Sequence, residues 1–152
     1  MNPDAPGRRL VLPQPWEEVP HTADLGIAAR GATPEEALCR LVLAFGALVA
    51  GGGPVPAADD GEELVVRGGA DLAQTAVEVM REVLFRLAAR GLVPCACAVD
   101  SVQPGEARLR VWSGRRDPSL HAEGADPKAV TWHAARLEPD GAGWRAQVIL
   151  DV

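Results

Sequence analysis

The sequence predicts an α+β domain: a two-layer sandwich in which two helices pack on a largely antiparallel or mixed β-sheet. Two segments carry apolar residues at helical spacing, and the segments around them alternate in polarity with the two-residue period of β-strands. In the second half of the chain, strands are joined in pairs by short turns that favour antiparallel pairing. The predicted order, β-α-β-α-β-β-β-β, is typical of helices that cover one face of a sheet.

The first strand and the first helix follow the sequence HTAD at residues 21–24. Residues 25–31 alternate in polarity and predict a strand entered from that turn. Thr33 can cap a helix whose first position is Pro34, with Glu36 placed to complete the capping box. Apolar residues then recur at helical spacing until a glycine run ends the helix: Leu38, Leu41, Val42, Phe45 and Leu48.

The second helix is predicted between Asp71 and Gly91, after a short strand at residues 64–67. Asp71 and Gln74 form a second pair of capping residues at its start. One apolar stripe runs along this helix and predicts contact with the core: Ala73, Ala76, Val77, Met80, Val83, Leu84 and Leu87.

Two hairpins complete the predicted sheet. The turn QPGE joins residues 95–102 to residues 107–112, and the turn EPDGAG joins residues 128–137 to residues 144–151. The polar segment 113–126 between the hairpins is predicted to be a surface loop.

Length and composition limit the class of protein. The 152 residues can bury one core, and we predict a single domain over residues 16–152 after a mobile N-terminal arm over residues 1–15. A formal net charge of −6 argues against direct binding of RNA or DNA. No apolar run approaches the roughly 20 residues of a membrane span. The first residues do not resemble a signal peptide, and three cysteines fit a reducing compartment, so we expect a cytoplasmic protein.

Carboxylates at the two ends of the domain are candidate metal ligands. Alternation in the last strand directs Asp151 away from the core, next to the α-carboxylate of Val152. Asp24 becomes a third carboxylate if the first strand pairs beside the last. Neighbouring negative charges favour a cation, and hard oxygen ligands select calcium or magnesium. The alternative is that Asp24 caps the HTAD turn and that the chain end is solvated.

The histidines and cysteines offer two weaker possibilities. His21 and Asp24 could form the acid/base pair of a metal-dependent hydrolase, but no nucleophile motif accompanies them. Cys95 and Cys97 could bind zinc with His121 or His133, but no second cysteine pair completes a tetrahedral set. Structural histidines and buried small cysteines are the preferred interpretation.

Taken together, these motifs resemble the archease family. The resemblance extends from about Trp16 to the last residue and includes a histidine at His121. Its motifs, in order, are HTADLGI at residues 21–27, GATPEEA at 31–37, DLAQT at 71–75, KAVTWH at 128–133 and the final Asp151 and Val152.

The resemblance implies a small non-enzymatic activator of an RtcB-type RNA ligase. Archeases help that ligase to guanylylate its active-site histidine and to turn over repeatedly during tRNA splicing and RNA repair. The family also implies a divalent cation, usually calcium, with Asp24, Asp151 and Val152 as ligands. A chain of this charge is then expected to dock on the basic RNA-binding surface of the ligase, without holding RNA itself.

Two departures from the family pattern bear on these expectations. Pro20 stands where many members have an acidic residue, which removes one possible ligand and predicts weaker metal binding. Met80 and Glu82 lie where the family often has tryptophan and asparagine, which bears on partner fit. The runner-up function is a metal-binding, chaperone-like adaptor with other clients. The sequence leaves the oligomeric state open.

Overall fold

The protein was studied as a computed structural model that describes residues 7–22 and 24–152. The α+β class is confirmed, with helices packed on antiparallel strands. The elements are β1 (Leu10–Val11), β2 (Glu17–His21), β3 (Asp24–Gly31), α1 (Pro34–Ala50), β4 (Glu62–Gly68), α2 (Leu72–Arg90), β5 (Leu92–Gln103), β6 (Gly105–Arg115), β7 (Ala129–Asp140) and β8 (Gly143–Asp151).

The strands form two sheets, where the sequence had suggested one. The first sheet has the order β1-β5-β6-β4 and the second has the order β2-β3-β8-β7. Every strand pair within the described residues is antiparallel. Each predicted hairpin therefore exists, but β5 and β6 lie in one sheet while β7 and β8 lie in the other.

Both helices contact strands of both sheets. This shared contact explains why the strands divide into two sheets around the helices. α1 packs on β5 of the first sheet and on β3 and β8 of the second, whereas α2 packs on β4, β5 and β6 and on β7. A helix in contact on several sides must be apolar nearly all round, and twelve of the 17 residues of α1 are buried. At Gly46, a Cβ atom would collide with the carbonyl oxygen of Pro94, so the α1 backbone rests directly on β5.

The predicted helix boundaries are confirmed by the hydrogen bonds at the helix ends. The Thr33 hydroxyl accepts from the Glu36 amide at 3.1 Å, and the Asp71 carboxylate accepts from the Gln74 amide at 2.8 Å. The helices end at Gly51 and Gly91, whose φ angles of 59° and 64° lie in the left-handed region that favours glycine. In the described residues, no helix is long and apolar enough to span a membrane.

Residues 7–12 of the predicted arm lie against β5. Leu10 is buried and pairs with Cys97, and the Gly7 amide donates to the Val99 carbonyl at 2.7 Å. Arg8 forms an ion pair of 3.1 Å with Glu36 of α1. The first six residues of the predicted arm lie outside the described residues, and the division between arm and domain stays a prediction.

A partly buried ion-pair cluster joins β4 to the last turns of α2. Glu62 accepts hydrogen bonds from Arg90 at 3.4 Å, with a closest ion-pair distance of 2.9 Å, and from the buried Arg86 at 2.7 Å. These hydrogen bonds lower the pKa of Glu62 from 4.5 to about 2. A carboxyl group with a lowered pKa in the folded state stabilises the fold above its unfolded pKa, and that stability is lost as the pH falls.

We therefore expect Glu62→Gln to remove part of the acid sensitivity of the fold. Unfolding by urea, measured between pH 4.5 and about 2, should show a shallower loss of stability in the variant than in the wild type. Glu138→Gln is the matched control, because Glu138 forms an exposed pair with Arg136 at 3.7 Å. Parallel pH profiles for Glu62→Gln and the wild type would contradict the assignment.

Candidate metal site and its surroundings

The pairing of β3 with β8 brings the HTAD turn beside the end of the chain. Leu25 lies opposite Leu150, so Asp24 and Asp151, each the next residue of its strand, come to the same end of the β3–β8 pair. On its other side, Asp151 pairs with Ala129, and its carbonyl accepts from the Lys128 amide at 2.7 Å. The last strand is therefore held between β3 and β7 up to its final residues.

The carboxylates at this end form an ion pair with a histidine but, among the described residues, with no lysine or arginine. Asp24 contacts His21, with 3.3 Å between Oδ2 and the imidazole Nδ1. Within residues 7–22 and 24–152, no lysine or arginine forms an ion pair with Asp24 or Asp151. Asp151 and Val152 are exposed. The last two residues of the chain, with the Asp151 carboxylate, are therefore open to solvent and free to bind a cation.

The available ligands at this end are oxygen atoms. In the part of the chain that the structure describes, no three His, Cys, Asp or Glu side chains converge as a ready metal cage. A cation bound here would need main-chain oxygens, such as those of Val152, together with the Asp24 and Asp151 side chains and water. Calcium accepts carboxylate, main-chain and water oxygens in irregular arrangements, so these residues fit a calcium ion better than a zinc ion.

A second histidine lies beside this end of the sheet. The His133 ring is 5.7 Å from the His21 ring between centroids, with an interplanar angle of 67°. His133 belongs to the part of β7 between Thr131 and Arg136, where the register with β8 shifts. Sequence analysis singled out both histidines but could not predict that they lie close together. The residue pattern of β7 gives no sign of the register shift at His133.

The outer face of β8 is more buried than strand alternation suggests. Arg145, Gln147 and Ile149 share the face of Asp151, yet Gln147 is 4% exposed and Ile149 only 1%. The Gln147 amide group donates to the carbonyl of Ala134 at 3.0 Å, within the irregular part of β7. The carboxamide oxygen of Gln147 accepts from Arg145 at 3.0 Å. A small packed layer therefore supports the sheet up to the point where Asp151 emerges.

His121 is a structural residue. It is 4% exposed, and its Nδ1 accepts from the Asp117 amide at 3.0 Å. Since Nδ1 is an acceptor, Nε2 carries the proton and donates to the Pro54 carbonyl at 2.7 Å. Neither nitrogen is free for a metal, so His121 cannot complete the zinc site considered with Cys95 and Cys97.

Gly26 is required where β3 passes beneath the outer layer. A Cβ atom there would lie 2.8 Å from both Cβ and the carbonyl oxygen of Val19 on β2, and 3.0 Å from Cδ1 of Ile149 on β8. Both neighbouring strands therefore close over the Gly26 position, two residues from Asp24.

We expect Gly26→Ala to destabilise the domain by about 1–3 kcal/mol, because the added methyl group must displace β2 or Ile149. The measurement is the free energy of unfolding in urea. The double variant Gly26→Ala with Ile149→Val should recover part of the loss, since it removes one of the close contacts. A Gly26→Ala variant as stable as the wild type would show that β2 yields without strain.

These features define an α+β protein with two antiparallel sheets and a candidate cation site where the first hairpin meets the chain end. The chain belongs to the archease family: the model of the "Archease protein family (MTH1598/TM1083)" matches residues 16–152. This finding confirms the resemblance seen in the sequence motifs.

The chain is similar to relatives named Protein archease along almost their whole length. It is 32% identical to that of Pyrococcus furiosus over 143 residues, covering 90% of this chain and 98% of the relative. It is 27% identical to that of Methanopyrus kandleri over 146 residues, covering 91% and 99%.

Solved structures share the fold. The solution structure of protein 1598 of Methanobacterium thermoautotrophicum matches with a TM-score of 0.66 at 23% identity, covering 90% of this chain and 98% of that one. The crystal structure of an archease of Thermotoga maritima, described as a possible chaperone, matches with a TM-score of 0.56 at 17% identity, covering 90% and 96%.

Proposed function

We propose that this protein is a non-enzymatic activator of an RtcB-type RNA ligase in the cytoplasm. It would promote guanylylation of the active-site histidine of the ligase and so allow repeated turnover. Membership of the archease family supports this proposal. The observation that carries it is the β3–β8 register, because it brings Asp24 and Asp151, which belong to two distant family motifs, to the same end of the sheet.

We propose further that Asp24, Asp151 and Val152 bind a divalent cation, calcium by the chemistry of their oxygens. Bound there, the cation would supply positive charge at an end that has no arginine or lysine partner among the described residues. The contact between His21 and Asp24 would orient the Asp24 carboxylate toward the ion. The Pro20 side chain has no oxygen that could coordinate the ion. Calcium affinity would therefore rest on the oxygens of Asp24, Asp151 and Val152.

Docking would follow from complementary charge. The chain carries a formal net charge of −6, whereas a ligase that holds RNA must present a basic surface. Attraction between such surfaces accelerates encounter and fixes orientation, and salt weakens it. The acidic protein would thus contact the ligase and leave the RNA to its partner.

Two other functions remain to be separated from this one. The Thermotoga maritima structure is described as that of a possible chaperone, which favours a chaperone-like adaptor with other clients as the second candidate. Recovery of an RNA ligase with the tagged protein would distinguish the activator from such an adaptor. The contact of His21 with Asp24 is what a hydrolase would use, and nuclease or phosphatase activity lost in Asp24→Ala would support that function.

Calcium should stabilise the wild-type protein. A ligand that binds only the folded state at about 100 times its Kd adds roughly 2.7 kcal/mol to the free energy of unfolding, and the Tm rises accordingly. Asp24→Asn and Asp151→Asn should each lower calcium affinity at least about tenfold and reduce that rise. Asp60→Asn is the matched control, since Asp60 is an exposed residue in a loop and the charge change is the same. Equal calcium effects in all four proteins would contradict the assigned ligands.

The ligase proposal is tested by guanylylation with GTP under multiple-turnover conditions. Wild-type protein and Asp60→Asn should accelerate the reaction, whereas Asp24→Asn and Asp151→Asn should accelerate it about tenfold less, because a ligand to the cation is lost. Joining of RNA by a ligase that already carries guanylate should not change. Repeating the assay with a calcium-selective chelator separates the metal from the contact surface. Full activation by both site variants would refute the proposed role of this end.

A further inference from the structure

β4 is an exposed and regular edge of the first sheet. It pairs with β6 through seven consecutive residue pairs without a register shift, and it is the last strand in the order β1-β5-β6-β4. No other strand pairs with its outer side in the described part of the chain. Its main-chain groups on that side can therefore pair with an added strand.

The other sheet edges carry features that discourage further pairing. β1 has only two residues, and β2 contains Pro20, which has no amide hydrogen to donate. β7 is interrupted between Thr131 and Arg136, where its register with β8 shifts. β4 contains no proline and no register shift. Unlike the other edges, it therefore offers an uninterrupted row of main-chain groups to an added strand.

The side chains of β4 form two faces at this edge. Glu63, Val65 and Arg67 point to solvent, and Val65 is 44% exposed. Leu64 and Val66 face α2 and are only partly buried, because they line an open groove between β4 and α2.

The α2 side of that groove has an apolar residue at its end. Glu78, Arg81 and Glu82 line the groove, and helical spacing places Phe85 on the same stripe of α2. Phe85 is 62% exposed, an unusual position for phenylalanine on a helix. The edge thus combines an unpaired strand with exposed apolar side chains on both of its faces.

We infer that β4 pairs antiparallel with β4 of a second copy of this chain, about a two-fold axis through Val65. In this arrangement Glu63 of each copy lies opposite Arg67 of the other, and the two Val65 side chains meet at the axis. Leu64 of each copy lies opposite Val66 of the other on the inner face. Such a contact is isologous and joins the two four-stranded sheets into one sheet of eight strands.

The charges of the neighbouring strands support this register. Within one copy, Glu63 accepts from Arg110 at 2.7 Å, and Arg67 lies 3.4 Å from the Glu106 carboxylate, both across the β4–β6 pair. Pairing Glu63 with Arg67 of the second copy therefore produces a row of four charges of alternating sign across four strands. Opposite charges on directly facing strand positions stabilise a sheet, and like charges destabilise it.

Other antiparallel registers of the strand lose this complementarity. With the axis at residue 63, Glu63 faces Glu63; with the axis at residue 67, Arg67 faces Arg67. With the axis at residue 64 or at residue 66, each charged residue that faces the partner strand lies opposite a valine. Only the axis through Val65 pairs both charged residues of the exposed face with an opposite charge.

The test is the mass of the full chain in solution, measured by light scattering and sedimentation over a concentration series. The wild type should approach twice the 16.0 kDa chain mass. Glu63→Arg and Arg67→Glu should each raise the dimer dissociation constant at least about tenfold, because each replaces both attractive pairs by repulsive ones. Glu18→Arg, an exposed residue of β2 with the same charge change as Glu63→Arg, should leave it unchanged.

Mixing the two single variants isolates the contact between copies. A Glu63→Arg chain carries two positive residues on the edge and an Arg67→Glu chain carries two negative ones, so an equimolar mixture should form the dimer that neither variant forms alone. Since each variant keeps its own disrupted pair with β6, a defect of folding could not produce this rescue. A monomeric wild type, a dimer indifferent to both reversals, or a mixture without rescue would each overturn the inference.

Discussion

The antiparallel pairing of β3 with β8 is the constraint on which the arrangement of this protein depends. It joins the beginning of the domain to its end in the middle of the second sheet and buries Ile27, Val148 and Leu150 against the helices. A slip of one residue would turn these side chains to solvent, so the core fixes the register. The same register brings Asp24 and Asp151 to one end of the sheet, and the position of the acidic end is thus a consequence of core packing.

Local signals foretold the helices well, because caps and apolar stripes act within a few residues. Each helix begins at its predicted cap, Thr33 or Asp71, and ends at its predicted glycine, Gly51 or Gly91. The division into two sheets could not be predicted in this way, since it arises from the contact of each helix with strands distant in sequence. The all-round apolar character of α1 was the available sign that this helix is covered on more than one side.

The candidate site was predicted in part. Family motifs indicated Asp24 and Asp151 as ligands. The sequence analysis required the first predicted strand to pair beside the last, and β3 does pair with β8. The approach of His133 to His21 and the burial of Gln147 could not be foreseen, because both depend on the irregular backbone of β7, where Ala134 has a φ of 57°. An alanine in the left-handed region leaves no mark in the sequence, unlike the glycines at the helix ends.

The contact of both helices with both sheets has a consequence for how the molecule comes apart. Neither sheet can keep its apolar face covered once α1 leaves, since Leu38, Phe45 and Val49 belong to one shared core. The domain should therefore melt as one cooperative unit, with equal calorimetric and van't Hoff enthalpies. The acidic end and the β4 edge lie in different sheets, but the free energy of unfolding of the same shared core would limit local opening at both.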